Sequence, residues 1–195
     1  MKNNETQLIS NIIKESSKII YDLQPLTDQI QESIAVMTKC INDKKKIVIF
    51  GNGGSAADSQ HIVAELIGKF KIKRKSYPAI DLSSNSSILT SLSNDFTFEI
   101  SFSRQCECLV NKNDVVIGIS TSGNSKNIKD GIIASKKNGA ITIGLLGNNG
   151  GLLKKYVDIP IIVPSKSTPR IQEAHRVIYH IICELVEKKL NKVLK

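Results

Sequence analysis

The sequence predicts a helical hairpin followed by a doubly wound α/β unit, and three observations carry that prediction. Five short, β-branched, continuously apolar runs occupy 46–50, 78–82, 114–120, 140–146 and 158–163, each separated from the next by a helix-length stretch. Strands that are apolar at successive positions are buried on both faces, the pattern of a parallel sheet covered by helices on each side. Before the first run and after the last, apolar residues recur instead at three- and four-residue steps, the period of a helix with one buried face.

Over 3–43 that helical period is kept by Leu8, Ile12, Ile13, Ile19, Ile20 and Leu23, then by Leu26, Ile30, Ile34, Met37 and Ile41. Gln24-Pro25 divides it, since proline lacks an amide hydrogen and clashes with the preceding turn, so two helices are expected. Within the α/β unit the stretches between strands place helices at 55–69, 86–93, 98–110, 125–138 and 150–156. A long helix over 168–190 closes the chain, its apolar positions Ile171, Ala174, Val177, Ile178, Ile181, Ile182, Leu185 and Val186 holding period for about five turns. No repeat, low-complexity tract or linker interrupts this order. One domain over 1–195 is expected, with 1–43 as the hairpin and 44–195 as the α/β unit.

Composition narrows the function classes. At 195 residues and 41% hydrophobic content the chain has the makeup of an ordinary globular protein. Its longest apolar runs, such as 47–50 and 159–163, are far shorter than the roughly 20 residues a membrane-spanning helix requires. The opening Met1-Lys2-Asn3-Asn4-Glu5 is polar and lacks the apolar core of a signal peptide, so a cytoplasmic location is expected. Cys40, Cys106, Cys108 and Cys183 form neither a paired zinc motif nor a disulfide framework, and reduced thiols are expected. The net charge of +9 sits largely in lysine clusters without interleaved aromatics or a nucleic-acid motif, which reads as a solvated surface.

In a doubly wound sheet a ligand sits beyond the carboxyl ends of the strands, where loops lead into helix N-termini. Two such loops carry unusual chemistry. The first, Gly51-Asn52-Gly53-Gly54-Ser55, joins a strand to a helix; its glycines permit a tight turn and close approach to a ligand, and the free amides at the helix start favour an anion. It matches neither a dinucleotide fingerprint nor a P-loop, and a plain turn with Ser55 as N-cap accounts for it equally well. The second, Ser120-Thr121-Ser122-Gly123-Asn124-Ser125, brings four hydroxyls and a glycine to a helix start. Helix capping explains one or two of those hydroxyls; a cradle for a phosphoryl group explains all four.

Acid/base candidates lie on two helices. His61 and Glu65, four residues apart, share a helix face, where they can bind a metal, move protons or form a surface pair. Gln172 and His180, eight apart on the last helix, stand about 80° from each other around its axis. His175 is a third histidine on a different face, suited to the core or a cap, and Arg170 with Glu173 reads as a helix-terminal ion pair.

Together, Gly51 to Ser55, His61 with Glu65, Ser93-Asn94-Asp95-Phe96, Ser120 to Ser125, and Arg170-Ile171-Gln172-Glu173 with His180 resemble the phosphoheptose isomerase family of the SIS (sugar isomerase) domain. The likeness covers nearly the whole chain, and its motifs are specific only in combination. It implies a five-stranded parallel sheet in a flavodoxin-like α/β/α sandwich, and a homotetramer with sites near subunit interfaces. It implies conversion of sedoheptulose 7-phosphate to D-glycero-D-manno-heptose 7-phosphate, the entry to activated heptose for surface polysaccharide such as lipopolysaccharide or capsule. By the same likeness Asn52, Gly53, Gly54, Ser55, Glu65, Asn94, Asp95, Ser120, Thr121, Ser122, Ser125 and Gln172 contact substrate. His61, Glu65, Gln172 and His180 would hold one zinc ion, and Glu65 and His180 would form the acid/base pair. One departure is minor: where the family often has Gly-Arg and an aromatic after this helix, Gly68-Lys69-Phe70 keeps a charge and a ring.

Two other readings use the same fold. A non-catalytic relative that binds the replication initiator resembles the loops but lacks counterparts of Glu65 and His180, both present here. An isomerase or lyase for another sugar phosphate would keep the site and change the substrate.

Overall fold

A computed structural model describes residues 2–192; the outermost positions of the expected 1–195 domain, Met1 and 193–195, lie outside the described residues. Helix α1 (Lys2–Tyr21) and helix α2 (Thr27–Asn42) are joined by a 3-10 turn at Gln24–Leu26, with Pro25 at the turn's start. The chain then runs β1 (Ile47–Gly51), α3 (Gly54–Ile67), β2 (Ala79–Asp81), α4 (Ser86–Asp95), α5 (Ser103–Leu109), β3 (Val115–Ser120), α6 (Lys126–Lys137), β4 (Ile141–Gly147), β5 (Ile159–Val163) and α7 (Thr168–Leu190).

The strands form one sheet in the order β2-β1-β3-β4-β5, and every neighbouring pair is parallel. Alternation along the strands feeds two cores. Ile47, Ile49, Ile117, Ile119, Ile143, Leu145 and Ile161 pack against α2, α3 and α7 through Ile34, Met37, Ile62, Leu66, Ile178 and Ile182. Val48, Phe50, Val116 and Leu146 pack on the other side against Phe102 and Cys106 of the α5 region and Ile128 and Ile132 of α6. This is the expected α/β/α sandwich. The sheet grows in opposite directions from β1 and β3, so the crevice between their carboxyl ends is the switch point of the fold.

Two expected helices differ. The stretch 98–110 is broken into a 3-10 turn, Phe98–Ile100, and α5, because Ser101 and Phe102 turn inward and Phe102 stacks on Phe50 with ring centroids 4.8 Å apart. The stretch 150–156 holds only a 3-10 turn at Leu153–Lys155, because Gly150 and Gly151 take φ of +83° and +53°, in the left-handed region. Helix α1 also presents Leu8, Ile9, Ile12 and Ile13 outward, exposed, while α2 carries the hairpin's buried face on Ile30, Ile34 and Met37. Arg170 of α7 donates to the Ile12 carbonyl at 3.0 Å and Ser16 donates to Glu173 at 2.6 Å, tying α1 to the start of α7.

Candidate functional site

Both loops singled out in the sequence open into the switch-point crevice, since they follow the paired strands β1 and β3. In the glycine loop Gly53, at φ +55°, is the N-cap of α3. Ser55 is therefore not the cap; it is buried inside the first turn. Asn52 exchanges a reciprocal pair of amide hydrogen bonds with Asn127 of α6, each 2.9 Å, which braces one loop against the helix that follows the other. A Cβ at Gly54 would collide with the Gln172 carboxamide, so only glycine lets that side chain rest on the loop.

The hydroxyl loop forms a compact cluster. The Ser120 and Ser125 hydroxyls lie 3.0 Å apart, and Ser120 also accepts the Gly123 amide at 3.1 Å. Ser122 accepts the Asn124 amide at 3.1 Å, and Thr121 is half-buried with its carbonyl accepting from Asn148 at 3.2 Å. Ser125 is the N-cap of α6 yet makes no capping bond, so its hydroxyl is turned toward the loop rather than toward its own helix amides. Beside it opens a cavity of about 520 Å³ lined by Ser122, Asn124, Asn148, Asn149, Pro164, Ser165 and Lys166. The arrangement supplies hydroxyl and amide donors at a helix start without a fixed charge in the loop, as an anion cradle requires.

Helices α3 and α7 lie side by side in the same sense, and their contacts form a ladder. Gln172 meets Gly54, Arg176 donates to Asp58 at 3.0 Å, and Tyr179 reaches both Asp58 at 3.3 Å and His61 Nδ1 at 3.2 Å. One rung further, the His61 and His180 rings stand 5.1 Å apart edge to face, and His61 Nε2 lies 3.0 Å from Glu65 Oε1. His180 also packs on Phe70, centroids 5.7 Å apart. Phe70 is held in place because buried Glu187 accepts the Phe70, Lys71 and Ile72 amides and the Arg74 guanidinium.

Burial, reinforced by the neighbouring His61, lowers the pKa of His180 below the ordinary imidazole value. A neutral His180 still carries one N–H to donate. His175 is buried in the core with Nε2 3.1 Å from the Leu146 carbonyl, and desolvation takes its pKa down to about 4.

One ligand atom from each of His61, Glu65 and His180 lies within 4.8 Å of the others. Two imidazoles and a carboxylate are a donor set suited to zinc, so these residues fit such an ion. Gln172 stands two turns earlier on α7, about 12 Å along the axis from His180, and its carboxamide rests on Gly54. Asn94 and Asp95 are exposed at the end of α4, hydrogen-bonded to each other at 2.9 Å, on a helix that buries none of its own side chains.

Sequence reasoning passed over Asn127, Asp58, Arg176 and Tyr179. A signal for three of them existed: Asp58 precedes His61 by one turn, and Arg176 precedes Tyr179 by another, spacings that put each pair on one face.

The model of the SIS domain matches residues 12–147. The phosphoheptose isomerase of Clostridium acetobutylicum is 48% identical over 190 residues, covering 97% of this chain and 96% of that protein. That of Geotalea daltonii is 46% identical over 183 residues, covering 93% and 95%. Among solved structures, phosphoheptose isomerase from Neisseria gonorrhoeae superposes with a TM-score of 0.89 at 32% identity, covering 94% of this chain and 98% of its own. The enzyme from Francisella tularensis gives 0.91 at 28% identity with the same coverage. With the two loops, the paired helices and these likenesses in hand, the chain belongs to the SIS domain family, among its phosphoheptose isomerases.

Proposed function

We propose that this chain converts sedoheptulose 7-phosphate to D-glycero-D-manno-heptose 7-phosphate through an enediol. The observation that carries the reading is the meeting of His61, Glu65 and His180 on α3 and α7, the helices that start at the crevice beside the hydroxyl loop. Such an isomerisation needs one base, one acid and stabilisation of developing charge on oxygen. Glu65, partly exposed, removes a proton from C1 of the ketose and delivers one to C2, exchanging with solvent between the two steps. Neutral His180 donates to O2 as charge develops there, or to the ring oxygen, and takes up the O1 hydroxyl proton as the aldose forms. Ser120, Thr121, Ser122 and Ser125 hold the phosphate with Ser55 assisting, Asn52, Gly53 and Gly54 hold the sugar, and Gln172 also contacts the substrate.

A zinc ion held by His61, Glu65 and His180 would polarise the substrate carbonyl. Gln172 can join them as a fourth ligand only by leaving Gly54. With such an ion bound, Glu65 would have to serve as both ligand and base, two tasks that compete for its one carboxylate.

The outward apolar stripe of α1 and the unburied helix α4, flanked by exposed Phe96 and Phe98, support a homotetramer in which Asn94 and Asp95 reach a neighbouring site. Residues 1–195 act as one domain, in the cytoplasm, at the entry to activated heptose for surface polysaccharide. Among the described residues no helix is long and apolar enough to cross a membrane. Several cluster lysines are paired with acids, Lys46 with Asp114 and Lys71 and Lys188 with Glu184, which favours a solvated surface over a nucleic-acid face. Aldose formation from sedoheptulose 7-phosphate by purified protein, with metal analysis before and after chelation, tests the proposal. No turnover would sink it, and full activity in a metal-free sample would remove the zinc.

A further inference from the structure

Behind His61, on the side away from Glu65, lies a hydrogen-bonded network, two of its members buried and Arg176 exposed, that the reaction as described does not use. The Tyr179 hydroxyl accepts from Arg176 Nε at 3.1 Å and faces both Asp58 Oδ1 at 3.3 Å and His61 Nδ1 at 3.2 Å. A second Arg176 nitrogen donates to the same Asp58 oxygen at 3.0 Å. Asp58 and Tyr179 are almost wholly buried. A phenol keeps its one proton well above neutral pH, so Tyr179 has a single hydrogen to donate.

That one proton has two destinations. A carboxylate accepts a hydrogen bond about twice as strong as a neutral acceptor does, so the phenol donates to Asp58. Arg176 occupies one phenol lone pair, and the other is left to accept from His61, which requires the His61 proton to sit on Nδ1. The Nε2 lone pair then points at Glu65 across 3.0 Å, an acceptor facing an acceptor that only a cation between them relieves; without one, the Glu65 carboxylate competes for the same proton through Nε2. Had the phenol donated to His61 instead, Nε2 would carry the hydrogen and be closed to a metal.

We propose that Asp58, Arg176 and Tyr179 are positioning residues that fix the tautomer of His61, holding its proton on Nδ1 and turning the Nε2 lone pair toward Glu65 and His180. The inference rests on reading that cluster as the reacting site. It gives buried Asp58 a task through two intermediaries, without contact with substrate, in the manner of carboxylate partners behind metal-binding histidines.

Nitrogen NMR of protein labelled with ¹⁵N-histidine tests it directly, since the chain has three histidines and a His61→Gln variant assigns the relevant signal. At about pH 8.5, some two units above the ordinary imidazole value, a metal-free Glu65→Gln variant, in which no carboxylate competes for the His61 proton through Nε2, should show His61 protonated on Nδ1. In that background Tyr179→Phe, which removes the acceptor, and Asp58→Asn, which removes the carboxylate, should each move the proton to Nε2; made alone in the parent, each should lower zinc affinity about 10- to 100-fold. A Glu65→Gln protein with the proton on Nε2, or further variants with an unchanged tautomer and unchanged zinc affinity, would overturn the proposal. The Glu65→Gln spectrum decides it even if a further variant fails to fold. Absence of zinc uptake by the parent would overturn the metal reading alone, leaving the tautomer to judge the network.

Discussion

Acid should unfold this protein partly through His175, and the size of that effect follows from its surroundings. The side chain lies in the core, with Nε2 on the Leu146 carbonyl and Nδ1 without a partner, and its pKa falls from 6.5 to about 4 through desolvation. The fold therefore favours the neutral imidazole, while the unfolded chain takes up a proton near pH 6.5. The stability this contributes is fully present above that value and is lost as pH falls toward 4. Between pH 7 and pH 4.5 the linkage amounts to about 2 kcal/mol, near a 1 M shift in a urea midpoint at a slope of about 2 kcal/mol/M. His175→Gln retains a donor for the Leu146 carbonyl but does not titrate. Urea unfolding of parent and variant at the two pH values isolates the difference: the parent should lose about 2 kcal/mol more than the variant on acidification. Equal losses would refute the neutral, desolvated histidine.

Two other outcomes follow from the loops and the outer helices. Ser125→Ala removes a hydroxyl that its own helix does not use, so KM for the sugar phosphate should rise about tenfold, the worth of one charge-assisted hydrogen bond of about 1.5 kcal/mol, with kcat little changed; an unchanged KM would place the phosphate elsewhere. Ile13→Glu puts a charge on the outward stripe of α1, where it costs the isolated chain nothing in its core, and light scattering should show a smaller assembly; the parent's mass retained in the variant would move the interface off this helix.

The strands were legible because burial on both faces leaves a signal that no surface requirement dilutes. The run expected at 46–50 is observed at Ile47–Gly51, and the last helix has the expected bounds, Thr168–Leu190, because its apolar period is unbroken and Pro169 marks its first turn. Where a helix-length interval was all the sequence offered, the reading was poorer. At 98–110 the stacking of Phe102 on Phe50 overrides local propensity, and at 150–156 two left-handed glycines prevent a regular helix. Site chemistry followed the same division. His61 with Glu65 could be paired from spacing within one helix, and the hydroxyl loop from composition. That His180 stands beside His61 depends on how α3 and α7 lie together, which no local pattern encodes. The ladder of Gln172 on Gly54, Arg176 on Asp58 and Tyr179 on His61 belongs to that same pairing of helices.

The central claim is that the cluster of His61, Glu65 and His180 moves a proton between C1 and C2 of a heptose phosphate. Turnover of sedoheptulose 7-phosphate in deuterium oxide, followed by NMR of the aldose, tests it most directly. The account predicts solvent deuterium at C2 in the product of the parent protein, and a loss of turnover of about 10²- to 10⁴-fold in Glu65→Gln with the fold retained. Product that keeps the original C1 hydrogen at C2 throughout, or a Glu65→Gln variant that turns over like the parent, would contradict it.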